Sequence, residues 1–119
     1  MRPWVYVAGP YSLGDPVENT HRAIRVGDHL ESLGFVPIIP HLSLLWHMVC
    51  PHPDPQFWYD ITAEWLKRCD LVYRLKGASK GGDEEVALAE QLGIPVIFEG
   101  EWIDKGLKRF LEGFNPCYA

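Results

Sequence analysis

The chain has 119 residues, 47% of them hydrophobic. That is enough for one domain, residues 1–119, around one core. A formal net charge of −5 excludes a nucleic-acid polymer held through phosphates, which needs a basic face, but not a small phosphate-bearing ligand held by backbone N–H groups. No run reaches the roughly 20 apolar residues of a membrane span, and MRPWVYVAGPYS is too short in apolar residues for a signal peptide; with three scattered cysteines, Cys50, Cys69 and Cys117, the expected setting is the cytoplasm with reduced thiols.

Trp4 to Ala8 (WVYVA) is a β-rich run closed by Gly9-Pro10, and reads as a first strand. Asp15-Pro16-Val17-Glu18 starts a helix, with Asp at the N-cap, Pro at N1 and Glu at N3. Ala23, Val26, Leu30 and Leu33 then recur at helical spacing until Gly34, and Asn19 falls on the same inward stripe. Phe35 to Ile39 (FVPII) reads as a second strand, which Pro37 assigns to a sheet edge. Pro40 to Gln56 is proline-rich and reads as an irregular functional loop or lid. A helix follows from about Phe57 to Arg68, with Trp58, Ile61, Thr62, Trp65 and Cys69 on one face. Asp70 to Leu75 is a third strand, with Asp70 in a turn or strand-end role. Gly77 to Gly93 (GASKGGDEEVALAEQLG) is a glycine-rich loop and helix, and Ile94 to Phe98 (IPVIF) a fourth strand. Trp102 to Phe114 closes the series as an amphipathic helix.

Strands that are short continuous apolar runs and alternate with helices predict an α/β fold: a small doubly wound parallel sheet with helices on both faces. Ligands of such folds bind beyond the carboxyl ends of the strands. The Gly9-Pro10-Tyr11 turn, the Pro40–Gln56 segment and the Gly77–Gly82 loop should therefore meet at one rim.

Two features could carry chemistry there. The loop Ser79-Lys80-Gly81-Gly82 leads into a helix start, which suits an anion or is simply a tight turn. Stepping 100° per residue along the helix places Glu85 with Leu88, Ala89 and Leu92, on the inward stripe. Asp83, Glu84 and Glu90 fall elsewhere. A buried carboxylate is costly. Either it is bonded to a buried tyrosine or backbone for structural reasons, or it is a nucleophile or general base at the rim. Tyr6, inside the first strand, could reach it or be a core residue. His41, His47, Cys50 and His52 are possible zinc ligands. Their spacing matches no paired signature, so the segment reads instead as supplying His and Trp side chains to a pocket wall.

VYVAGPYS (Val5–Ser12), PIIPH (Pro37–His41), WLKRCDLVYRL (Trp65–Leu75) and SKGGDEEVALAEQLGIPV (Ser79–Val96) resemble the nucleoside 2-deoxyribosyltransferase superfamily, in particular its small DUF4406-like branch. The resemblance implies a flavodoxin-like sheet and cleavage of an N-glycosidic bond. A glutamate attacks C1′ of a (deoxy)ribose and expels the base; a second base or water then takes the sugar. The glutamate falls on Glu85 and the tyrosine that orients it on Tyr6. Ser79 falls where nucleoside 5′-monophosphate N-hydrolases carry a phosphate-binding serine. The family aspartate that meets the base falls on Thr62. Asp60, two residues earlier, could replace it as the N-cap of a helix starting there.

The resemblance further implies Gly9, Pro10 and Tyr11 at the sugar, with Asn19 beside them, and Ser79, Gly81 and Gly82 at the 5′ end. Asp60 or His41 would protonate the base, and Trp46 would stack on it. No cofactor or metal is required. The partners implied are a nucleoside or nucleotide, a free nucleobase and a second copy of the chain, as a homodimer or higher oligomer. Asn115 and Tyr118 of the tail would close a neighbour's pocket. The competing expectation is a nucleotide-binding module without catalysis.

Overall fold

The computed structural model describes residues 1–100 and 103–114. Four strands form one parallel sheet in the order β2-β1-β3-β4: β1 (Trp4–Ala8), β2 (Val36–Ile38), β3 (Leu71–Arg74) and β4 (Val96–Phe98). The helices are α1 (Pro16–Ser32), α2 (Ser43–Val49), α3 (Pro55–Lys67), α4 (Lys80–Leu92) and α5 (Ile103–Gly113), with a single 3-10 turn at Pro40–Leu42.

β1 is central, and Val5, Tyr6, Val7 and Ala8 are wholly buried. Alternation along the strands divides the core into two layers. Val5, Val7, Leu71 and Tyr73 pack with Ala23 and Leu30 of α1 and Leu107 of α5. Tyr6, Ala8 and Val72 pack on the other face, with Leu66 of α3 and Ala89 of α4. This is the doubly wound, flavodoxin-like arrangement expected. β2 lies at an edge, as Pro37 indicated.

Strand order reverses between β1 and β3, which puts the switch-point crevice at their carboxyl ends. Two glycines let the loops there close up. A Cβ on Gly9 would stand 2.7 Å from Leu75 Cβ. Gly77, at φ +117°, lies against Pro10, whose Cγ an added Cβ would meet at 2.8 Å.

The expected irregular segment is corrected. Its proline-free run from Ser43 to Val49 forms α2, none of whose residues is buried, so no hydrophobic stripe marked it. α3 begins at Pro55, earlier than expected. Asp54 caps it by accepting from Gln56 N at 3.0 Å. That repeats the Asp15-Pro16 start of α1, where Asp15 accepts from Val17 N at 2.9 Å. Asp60 is therefore inside a helix and not at its N-cap. Asn115, Cys117 and Tyr118 lie outside the described residues.

Candidate functional site

A cavity of about 730 Å³ opens at the carboxyl ends of β1 and β3, within the range of small-molecule sites. The loop after β1 supplies Gly9 and Tyr11, and the turn after β2 supplies His41. α2 and α3 supply His47, Trp58, Tyr59 and Thr62, and the start of α4 supplies Ser79 to Gly82 and Glu85.

The central feature is a pair of side chains. The hydroxyl of Tyr6, a wholly buried residue of β1, donates to Glu85 Oε2. Burial pushes the Glu85 carboxyl up to about 7. The Tyr6 hydrogen bond and the positive charge of Arg74 pull against that rise, while Glu84 adds to it. The Tyr6 phenol is itself raised well above its ordinary value, first by burial and then by the adjacent carboxylate. Glu85 thus titrates near neutrality, the range in which a carboxyl group can serve as nucleophile, base or acid.

Arg74, at the end of β3, supports this corner from beneath. It is buried and donates to Leu75 O, to Gly77 O at 3.1 Å and to Asp83 Oδ1 at 3.0 Å. Gly82 rests on it: an added Cβ would stand 2.9 Å from Arg74 Cζ. Above, Ser79 caps α4, its Oγ accepting from Gly82 N at 2.9 Å. A buried arginine thus ties two carbonyls of the loop before α4 to Asp83 in the first turn of α4, and Glu85 follows two residues further along that helix.

Most of the residues singled out from sequence meet at this cavity. Gly9, Tyr11, His41, Ser79, Gly81, Gly82 and Glu85 line it, with Tyr6 directly beneath Glu85. Pro10 and Asn19 act one step back. The Pro10 carbonyl accepts from His41 Nε2 at 2.9 Å. The Asn19 amide donates to Tyr11 O and Leu13 O at 2.8 and 2.9 Å, shaping the loop after β1.

Two further candidates, Asp60 and Trp46, also lie off the cavity wall. Asp60 is exposed on α3 and accepts from Gln56 Nε2 at 2.7 Å; Thr62 lines the cavity in its place. Trp46 is 41% exposed and stands behind Trp58, ring centroids 4.9 Å apart. Trp58 is the indole in the wall. His47 and His52 line it too, as pocket-wall residues should. Tyr59, Lys80 and the support from Arg74 had no distinguishing sequence signal. The inward stripe of α4 is also shorter than its periodicity indicates, since Leu92 is 47% exposed.

A family model described as a domain of unknown function (DUF7768) matches residues 3–99. The chain belongs to this family. The matched span of the DUF7768 domain includes all four strands and every cavity residue named above. No protein of curated function matches in sequence. Among solved structures, a 2-deoxyribosyltransferase from the psychrotolerant bacterium Bacillus psychrosaccharolyticus has the same fold. The TM-score is 0.59 at 19% identity, over 94% of this chain and 92% of that one. Among the described residues no helix is long and apolar enough to cross a membrane.

Proposed function

We propose that this DUF7768 chain cleaves the N-glycosidic bond of a (deoxy)nucleoside or nucleoside 5′-monophosphate and passes the sugar to another base or to water. The observation that carries the reading is the Tyr6–Glu85 pair at the cavity floor. Glu85, as carboxylate, attacks C1′. The Glu85 oxygen–C1′ bond forms as the C1′–N bond breaks, and the electron pair leaves on the base. A second base or a water molecule then attacks C1′ and frees Glu85. Tyr6 fixes the carboxylate's orientation throughout. Gly9 and Tyr11 flank the sugar, while Ser79, Gly81 and Gly82 stand at its 5′ end. The start of α4 there favours a phosphate.

The fold shared with the Bacillus psychrosaccharolyticus enzyme, named a 2-deoxyribosyltransferase, supports this reading. So do the sequence motifs resembling that superfamily, its DUF4406-like branch and the nucleoside 5′-monophosphate N-hydrolases. A cytoplasmic homodimer or higher oligomer, with no cofactor, belongs to the same proposal. The test is incubation with a deoxynucleoside or its 5′-monophosphate and a different free base. A new nucleoside identifies transfer, and free sugar alone identifies hydrolysis. Absence of both across purine and pyrimidine substrates refutes the proposal.

A second reading, nucleotide binding without turnover, is favoured by one observation: Thr62, not a carboxylate, lines the wall on the α3 side. It predicts ligand binding with no base release and no change in Glu85→Gln. Release that disappears in Glu85→Gln while binding persists refutes this second reading.

A further inference from the structure

Breaking an N-glycosidic bond leaves an electron pair on the base, and the base departs readily only when a donor meets that developing charge. Glu85 and Tyr6 are occupied with C1′, so the donor must come from elsewhere in the cavity. His41 does not offer one, because its Nε2–H is already given to Pro10 O at 2.9 Å.

His47 is placed differently. Its Nδ1 accepts from His52 N at 3.0 Å and also faces the Trp58 indole Nε1–H at 3.4 Å, a hydrogen shared with His52 O at 3.2 Å. A backbone amide and an indole N–H can only donate. Nδ1 therefore carries no proton, and the neutral ring carries its hydrogen on Nε2. The ring lines the cavity, and among the described residues Nε2 has no partner. Its surroundings hold it in place. Trp58 lies edge-on at 5.8 Å between centroids, and the next histidine, His52, is stacked on Phe57 at 3.7 Å. No comparable pair of donors fixes the His52 tautomer.

We propose that His47 is a catalytic residue on the base side, its Nε2–H donating to an acceptor edge of the leaving base. This rests on the nucleoside reading above and extends it with a residue and a substrate requirement. The base must turn a carbonyl oxygen or an unprotonated ring nitrogen towards α2. A donor whose tautomer is set by the fold needs no reorganisation when charge develops, which is the condition for strong stabilisation.

The experiment compares wild type with His47→Asn. Asparagine keeps an acceptor oxygen near the place of Nδ1 for His52 N and Trp58, and loses the donor at Nε2. Base release is followed across nucleosides whose bases differ in acidity, including an N7-methylated guanine that leaves neutral without a proton. We expect His47→Asn to lower kcat about 100-fold on the least acidic base and by less than about 10-fold on the N7-methylated one. His47→Gln, which returns an N–H near Nε2, should recover part of the loss. His47→Phe keeps a ring, removes both nitrogens, and repeats the comparison where asparagine disturbs folding. Equal losses on all bases would mark a structural role and overturn the proposal, as would no loss at all. Wild type releasing base while His47→Asn matches it overturns this inference alone. Wild type that releases no base overturns the nucleoside reading and this inference with it.

Discussion

Replacing Glu85 with glutamine should make the protein more stable at neutral pH while abolishing base release. Glutamine has the same shape, and its Oε1 still accepts from the Tyr6 hydroxyl; what disappears is the charge. The Glu85 carboxyl titrates at about 7 in the folded protein against an ordinary 4.5, so the fold binds its proton more tightly than the unfolded chain does. The stabilisation this brings is complete below pH 4.5 and is lost as the pH rises to about 7. At 1.36 kcal/mol for each tenfold step, that interval corresponds to about 3 kcal/mol. The variant has no such loss. Its unfolding free energy minus that of wild type should therefore grow by about 3 kcal/mol between about pH 4 and about pH 8, or about 10 °C in Tm for a domain of this size. Urea unfolding of both proteins across that range measures it, and taking the difference cancels every other titrating group. Curves that stay parallel, or a variant that loses ground as pH rises, would refute the burial argument for Glu85.

Base release by wild type should rise with pH and level off above about 7, because only the ionised Glu85 can attack C1′. Tyr6→Phe removes a hydrogen bond that holds this carboxyl down, so the ascending limb of kcat/KM against pH should move to higher pH; an unmoved limb would contradict the coupling. Gly82→Ala drives a methyl against Arg74 and should cost about 1–3 kcal/mol in urea unfolding; a neutral result would show that the arginine yields freely. Asp60→Ala, on the exposed face of α3, should change stability by less than about 0.5 kcal/mol and leave base release as it was. A large loss of activity there would restore Asp60 to the site.

The parts of the site legible in the sequence are those set by local periodicity. Helix phase separates Glu85 from Glu84, and strand position puts Tyr6 on the layer that α4 covers. The Asp15-Pro16 signature located α1. The same signature at Asp54-Pro55 is masked by the proline-rich stretch around it, and the earlier start it gives α3 puts Asp60 inside the helix and not at its N-cap. α2 left no trace, since a short helix without a buried face has no stripe to detect. Arg74 was hidden for a different reason. In the run DLVYRL it looks like a polar strand end, and its burial depends on Gly77 O and Asp83, which only the folded loop and the start of α4 deliver.

The energetics bear on which role Glu85 has. A domain's net stability is about 5–15 kcal/mol, and ionised Glu85 takes away about 3 of it at neutral pH. A purely structural partner for Tyr6 would not need that charge, because glutamine or a backbone carbonyl accepts the same hydrogen bond. The surroundings do not neutralise the carboxyl outright either. Tyr6 and Arg74 both favour its ionised form against the burial that opposes it, and the resulting balance lies near neutrality. Arg74 is itself retained in a buried position by two carbonyls of the loop before α4 and by Asp83 in the first turn of that helix. Loop, arginine and tyrosine thus converge on keeping one destabilising carboxylate available to the cavity. A more stable and inactive Glu85→Gln is the outcome that arrangement requires if the charge is there for chemistry. A variant that gains stability and still releases base would mean that the charge serves no reaction at C1′.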